Sequence, residues 1–122
     1  MTGYAFIALT VLLSVYGQLV LKWQASLSGP LPHGVAPKLS FLFHMLVNPW
    51  VISGLAAAFA ASLFWMLALK KLPLSTAYPL TATSFLLILL FATLVLHEPL
   101  SMGKIVGTVM IVGGITVLAV TA

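Results

Sequence analysis

Long uncharged runs, each closed by lysine, aromatic or turn residues, divide this chain into four apolar segments. The first extends from about Gly3 to Leu21 and stops at Lys22-Trp23, a cation and an aromatic suited to a membrane interface. At about 1.5 Å per residue it is long enough to cross a bilayer core of about 30 Å, so the pattern predicts a transmembrane helix. A second span is predicted from about Pro49 to Leu69, ending at Lys70-Lys71. Asn48-Pro49 separates it from the shorter apolar piece Ser40 to Val47, which reads as an interfacial helix with Trp50 as its neighbouring anchor. A third span runs from Ala77 to Leu96, and a fourth from about Met102 to the C-terminus. Between the first span and the interfacial piece, Gln24 to Pro37 collects Gly, Pro and Ser and reads as loop. The expected fold is an all-α membrane protein: four transmembrane helices, with a short interfacial helix before the second, in a single domain over residues 1–122.

The polar positions inside these spans are the informative ones. Thr10, Ser14, Gln18 and Lys22 follow one another at steps of four and form a slowly drifting stripe on one helix face. An amide such as Gln18 is costly against lipid, so the stripe is expected to face other helices or a wet cavity. In the third segment Ser75, Thr76, Tyr78, Thr81, Thr83 and Ser84 gather near one end. Pro79 lies among them and cannot donate to the Ser75 carbonyl, so Tyr78-Pro79 is the expected helix irregularity, sheltered by protein or water. Gly54, Ala58 and Ser62 give the second span a small-residue face that admits a close helix, and Trp65 reads as an interface residue or a cavity wall. Gly103, Gly107 and Gly114, with Gly113 adjacent, leave one face of the last span nearly bare, which favours contact with a second subunit. Ser101 is placed to cap that helix.

Composition agrees: 62% of positions are hydrophobic and 5% charged, against about 25% charged in an ordinary globular protein. All five basic residues are lysines, spread over segment ends, so the net charge of +4 is no nucleic-acid signature. Lys70 and Lys71 on one side nearly balance Lys22, Lys38 and Lys104 with Glu98 on the other, which leaves orientation open and is compatible with dual insertion. The N-terminal run lacks a basic n-region and is too long for a cleavable signal. Absence of Cys excludes disulfides, zinc-thiolate sites and thiol nucleophiles. His33 and His44 have no partner ligands at metal spacing, and no Ser-His-Asp or paired-carboxylate set is present, so neither a metal, a cofactor nor an enzyme is expected.

Four stretches taken together resemble the drug/metabolite transporter superfamily, in particular its four-helix members and the domain called EamA. They are LLSVYGQLVLK from Leu12 to Lys22, AYPL from Ala77 to Leu80, HEPLS from His97 to Ser101, and GTVMIVGG from Gly107 to Gly114. Within that superfamily the likeness is nearest to the small subunits of the aminoarabinose-phosphoundecaprenol flippase. The resemblance implies a multi-pass protein of a bacterial inner membrane, working as a homodimer or as a heterodimer with a related small subunit. It also implies a cavity-lining role for Tyr78 and a dimer contact at Gly107 to Gly114. The related small multidrug resistance exporters carry a proton-exchanging glutamate one turn before the first-helix glycine; here that position is Ser14, which cannot hold a cation or shuttle a proton.

The expected activity is therefore a transporter or flippase subunit for a lipid-linked sugar phosphate or similar polar-headed metabolite. Its substrate-binding residues would be Ser14, Gln18, Lys22, Trp65, Tyr78 and Thr81. Lys22 is cast as a rim cation for phosphate, Ser14 and Gln18 as partners for sugar hydroxyls, and Tyr78 as an amphipathic wall. A drug exporter coupled through Glu98 and a non-transporting accessory subunit remain as alternatives.

Overall fold

The computed structural model describes residues 2–121, and all its regular structure is helical: α1 (Thr2–Leu27), α2 (Val35–Leu46), α3 (Pro49–Lys71), α4 (Leu74–Leu80), α5 (Thr83–Leu94) and α6 (Met102–Thr121). Four stretches are long and apolar enough to cross a membrane: α1, α3, α6, and α4 with α5 as one span, Leu74–Leu94. The protein is thus a multi-pass membrane protein, with α2 as a shorter apolar helix between the first two spans.

The tightest contact lies between α1 and α3, which run antiparallel. Gly3, Thr10, Gly17 and Gln24 recur every seven residues on α1 and are all buried. Gly54, Ala61 and Ala68 recur at the same interval on α3, also buried. A seven-residue repeat keeps one narrow seam facing the partner helix along its length. The backbones come so close at its centre that a Cβ on Gly17 would stand 2.8 Å from the Gly54 carbonyl oxygen. At one end a Cβ on Gly3 would meet Lys71 Cβ and Leu72 Cγ at 2.9 Å. At the other end small residues give way to amides, and Asn48 Nδ2 donates to Gln24 Oε1 at 2.9 Å. Asn48 Oδ1 accepts from the Trp50 N–H at 2.8 Å and so caps α3, with Pro49 in the first turn where its missing N–H costs nothing. Trp23 packs edge-on to Trp50 beside this pair, at 5.3 Å between ring centroids.

Three expected boundaries need correction. The first helix does not stop at Leu21 but continues to Leu27, because a lysine at the interface does not interrupt backbone hydrogen bonding. The first true breaker is Gly29, with φ of 82°. The loop correspondingly shrinks to residues 28–34, and α2 begins at Val35 rather than Ser40, since Pro37 falls in its first turn, where proline is tolerated. The third span is not one helix. After Pro79 the N–H groups of Thr81, Ala82, Ser84 and Phe85 all turn to carbonyls three residues back, at 3.0–3.1 Å, a tightened stretch that separates α4 from α5.

α4 and α5 lie against α1 through an apolar cluster of Ile7, Val11, Val15, Ala68 and Ala77, joined at its edge by Leu80, Leu87 and Ile88. α6 is different. It has no buried residue, touches the bundle along α4 and α5, and Gly107, Gly113 and Gly114 have open space where a Cβ would stand. Ser101 Oγ does accept from the Lys104 N–H, at 3.2 Å, and caps the helix.

Adding one methyl at the seam separates these two classes of glycine. Gly17→Ala is expected to destabilise the chain by about 1–3 kcal/mol, the usual cost of overpacking against backbone. Gly113→Ala is expected to cause no loss. Unfolding titrations of both variants in mixed micelles, followed by circular dichroism, check the contrast.

Candidate functional site

Polar side chains from three spans meet in a cleft of about 260 Å³ between α1, α3 and the α4–α5 break. α1 supplies Thr10 and Ser14, α3 supplies Ser62 and Trp65, and the broken span supplies Tyr78, Thr81 and Ser84. Its walls have a consistent electrostatic character. Thr10 Oγ1 donates to the Phe6 carbonyl at 2.8 Å, Ser62 to Ala58 at 3.2 Å and Ser84 to Thr81 at 2.7 Å, while Thr81 donates to Tyr78. Each of these hydroxyls directs its single proton to a carbonyl three or four residues back and retains oxygen lone pairs. Thr10 also reaches the Ala61 carbonyl across the seam at 3.4 Å. These four hydroxyls therefore present acceptor oxygens to the cleft, which suit hydroxyls and ammonium groups. Ser14 and Tyr78 keep hydroxyl protons free of any partner among the described residues. Tyr78 stands edge-on to Trp65, with ring centroids 6.2 Å apart.

Pro79 removes one N–H and the tightened turns redirect others, and at membrane depth hydroxyls give the carbonyls of the break an additional donor. Thr83 Oγ1 supplies one to the Leu80 carbonyl at 2.9 Å, as Thr81 and Ser84 do to theirs. Part of the polarity foreseen at this end of the span thus holds the break together.

Gln18 and Lys22 do not line this cleft. Steps of four residues turn an α-helix by about 400°, so from Thr10 to Lys22 the stripe rotates by about 120°. It starts in the seam against α3 and ends facing α5. There Gln18, Lys22 and Glu98 surround a second cavity of about 270 Å³, floored by Leu19, Ile88, Ala92 and Leu96. Lys22 Nζ lies 3.7 Å from Glu98 Oε2, with both side chains partly exposed. Glu98 is carried back toward α1 by His97, whose φ of 58° is left-handed, and by its own N–H donating to the Ala92 carbonyl at 3.0 Å. The pairing was not anticipated, because Glu98 and Lys22 are far apart in sequence and only the antiparallel path through α3 brings them together. The part-buried Gln24–Asn48 amide pair was also missed, though the seven-residue spacing from Gly3 to Gln24 was its available signal. Among the described residues no group of three or more His, Cys, Asp or Glu is placed to hold a metal ion.

Comparison with known proteins now adds to this geometry. The model of the EamA-like transporter family matches residues 1–120. A probable 4-amino-4-deoxy-L-arabinose-phosphoundecaprenol flippase subunit ArnF from Enterobacter sp. (strain 638) is 38% identical over 120 residues, covering 94% of this chain and 92% of the relative. The correspondingly named ArnF of Erwinia tasmaniensis is 38% identical over 119 residues, covering 95% and 93%. The probable subunit ArnE of the same flippase from Pseudomonas fluorescens (strain Pf0-1) is 35% identical over 71 residues, and that match spans 58% of this chain and 62% of the relative. No solved structure matches the chain.

The chain contains no Cys, so single-cysteine variants test whether the cleft is wet. Ser14→Cys and Ser62→Cys, in the cleft, are expected to react with a charged, membrane-impermeant thiol reagent. Leu63→Cys, exposed outside it, is expected to react roughly tenfold more slowly or not at all, because thiolate forms in water and not in lipid. Mass spectrometry of membranes labelled over time gives the rates.

Proposed function

The chain belongs to the EamA-like transporter family, and from that premise we propose that it is a subunit of a flippase that carries a lipid-linked sugar phosphate across a bacterial inner membrane. The observation that carries this reading is the acceptor-rich cleft beside an otherwise apolar bundle. A sugar head presents several O–H donors, and a cleft wall of hydroxyl oxygens can replace the water those donors lose. Ser14, Trp65, Tyr78 and Thr81 are its proposed contacts in the cleft, with Gln18 and Lys22 at a separate station toward the end of α1. The apolar tail stays in lipid while the head crosses.

Energetically, the arrangement lowers the cost of moving a polar head through hydrocarbon without requiring a buried charge. Ser14 stands where a proton-exchanging acid would be needed for cationic drug export, and the chain's one acid, Glu98, lies outside the cleft. Residues 1–122 act as one transmembrane unit in this reading. Its partner is a second small subunit, identical or related, seated on α6. The support for that is the uncovered glycine face of Gly103, Gly107 and Gly114, on a helix with no buried residue.

Translocation is measurable with proteoliposomes containing an undecaprenyl phosphate amino-pentose and a membrane-impermeant amine reagent outside. The chain, alone or with the related small subunit, is expected to make the inner-leaflet lipid reactive. Ser14→Ala and Tyr78→Phe are expected to slow this about tenfold, the loss of one hydrogen bond to a polar group of the head. An unchanged rate in both variants, or no acceleration by the wild-type chain in either combination, would overturn the proposal.

A further inference from the structure

Two cavities that the cleft does not use adjoin each other between α1 and α5. One is the polar station of Gln18, Lys22 and Glu98, and the other is an apolar groove of about 310 Å³ lined by Val20, Trp23, Phe91 and Val95. Leu19 and Leu96 belong to both, so the charged spot passes directly into the groove. We infer that together they form a recognition site for an amphiphile whose head carries a phosphate and a primary ammonium: Lys22 takes the phosphate, Glu98 takes the ammonium, and the groove takes the first part of the tail. This inference rests on the flippase reading for its cargo, since the substrate after which the relatives are named contains both an amino group and a phosphate.

Four features of the site support that chemistry. First, the Lys22–Glu98 separation of 3.7 Å exceeds the roughly 2.7–2.9 Å of a close charge-assisted hydrogen bond, so both groups retain unused bonding capacity. Their side chains are 58% and 36% exposed, which leaves both reachable by a ligand. Second, a head carrying both charges can insert into this pair and leave no charge uncompensated. A head bearing phosphate alone would bring an anion beside Glu98, and a neutral sugar would use neither group. Third, the acid is held there by particular backbone choices: the left-handed conformation at His97 and the Glu98 N–H bond to Ala92. Non-glycine residues adopt that conformation uncommonly, and here it aims the chain's only carboxylate side chain at α1. Fourth, Trp23 and its edge-on neighbour Trp50 mark the membrane interface at this level, which is where a lipid phosphate resides. Lys104 is engaged elsewhere, donating to the Pro99 carbonyl at 2.8 Å.

Glu98 is then a specificity residue that separates amine-bearing lipids from other phosphate lipids before the head enters the cleft. Phosphatidylethanolamine shares the ammonium-phosphate chemistry with an amino-pentosyl prenyl phosphate, and the test must tell them apart. The full chain, gently extracted, is mixed with equal amounts of phosphatidic acid, phosphatidylcholine, phosphatidylethanolamine and undecaprenyl phosphate amino-pentose, and retained lipid is read by native mass spectrometry. The two amine-bearing lipids are expected to be retained about tenfold over phosphatidic acid, as one hydrogen-bonded charge pair implies. Glu98→Gln, which keeps the side chain's shape, is expected to bring that ratio near one, and Glu98→Asp to preserve part of it. Lys22→Gln is expected to weaken retention of all phosphate lipids. No amine preference in the wild-type chain, or a preference that survives Glu98→Gln, overturns the inference and leaves the flippase reading to its own translocation assay. A Glu98-dependent preference shared equally by phosphatidylethanolamine and the amino-pentose lipid supports the recognition chemistry. If translocation is also absent, the flippase reading alone fails.

Discussion

Close approach of two backbones, at Gly17 and Gly54, is the constraint on which the remaining structure depends. Inside a bilayer, helices gain little from hiding apolar surface, because lipid is as apolar as they are. What holds α1 to α3 is surface fit over a long line of small side chains, with polar links where the line nears water. Tyr16 and Ser53, whose oxygens are 2.9 Å apart, and the Gln24–Asn48 amides fix the register at that end. With the register fixed, Thr10 and Ser14 come to face Ser62 and Trp65, and the third span completes the cleft by closing from the side.

Polarity in this molecule has two origins. Some hydroxyls bond back to carbonyls at the break that follows Pro79, and their protons are committed there. Others, at Ser14 and Tyr78, have no such obligation. The first set makes a fixed field of acceptor oxygens, while the second can reorient toward whatever occupies the cleft. A site with both properties can accept a variable pattern of hydroxyl donors without rebuilding its walls.

The spans themselves were legible because hydrophobic run length is set by bilayer thickness, a property outside the protein. Their ends were less so: a lysine closes an apolar run without closing a helix, which is why α1 outlasts Lys22 and the loop after it is short. The irregularity at Pro79 could be located because proline's missing N–H is a local fact, but the separation into two helices depended on how the following residues re-bonded. The polar stripe from Thr10 to Lys22 could be seen, whereas its division between two cavities could not, since that depends on which neighbours stand around the helix as the stripe rotates. The seven-residue pattern of Gly3, Thr10, Gly17 and Gln24 was present throughout and mixes residue types too different to stand out by hydropathy.

The uneven packing of the spans also bears on how the molecule is made. α1 and α3 are joined through residues that all precede Leu74 in the chain, so this pair can settle before the later spans are inserted. α6 touches α4 and α5 but has no buried position, so it gains less from the rest of its own chain than any other span. A subunit that meets no partner would therefore leave synthesis with its last helix unsecured, and cellular proteases that survey membranes for loose segments would find it there. Where a second subunit covers α6, as proposed above, assembly would set how much of the protein a cell keeps.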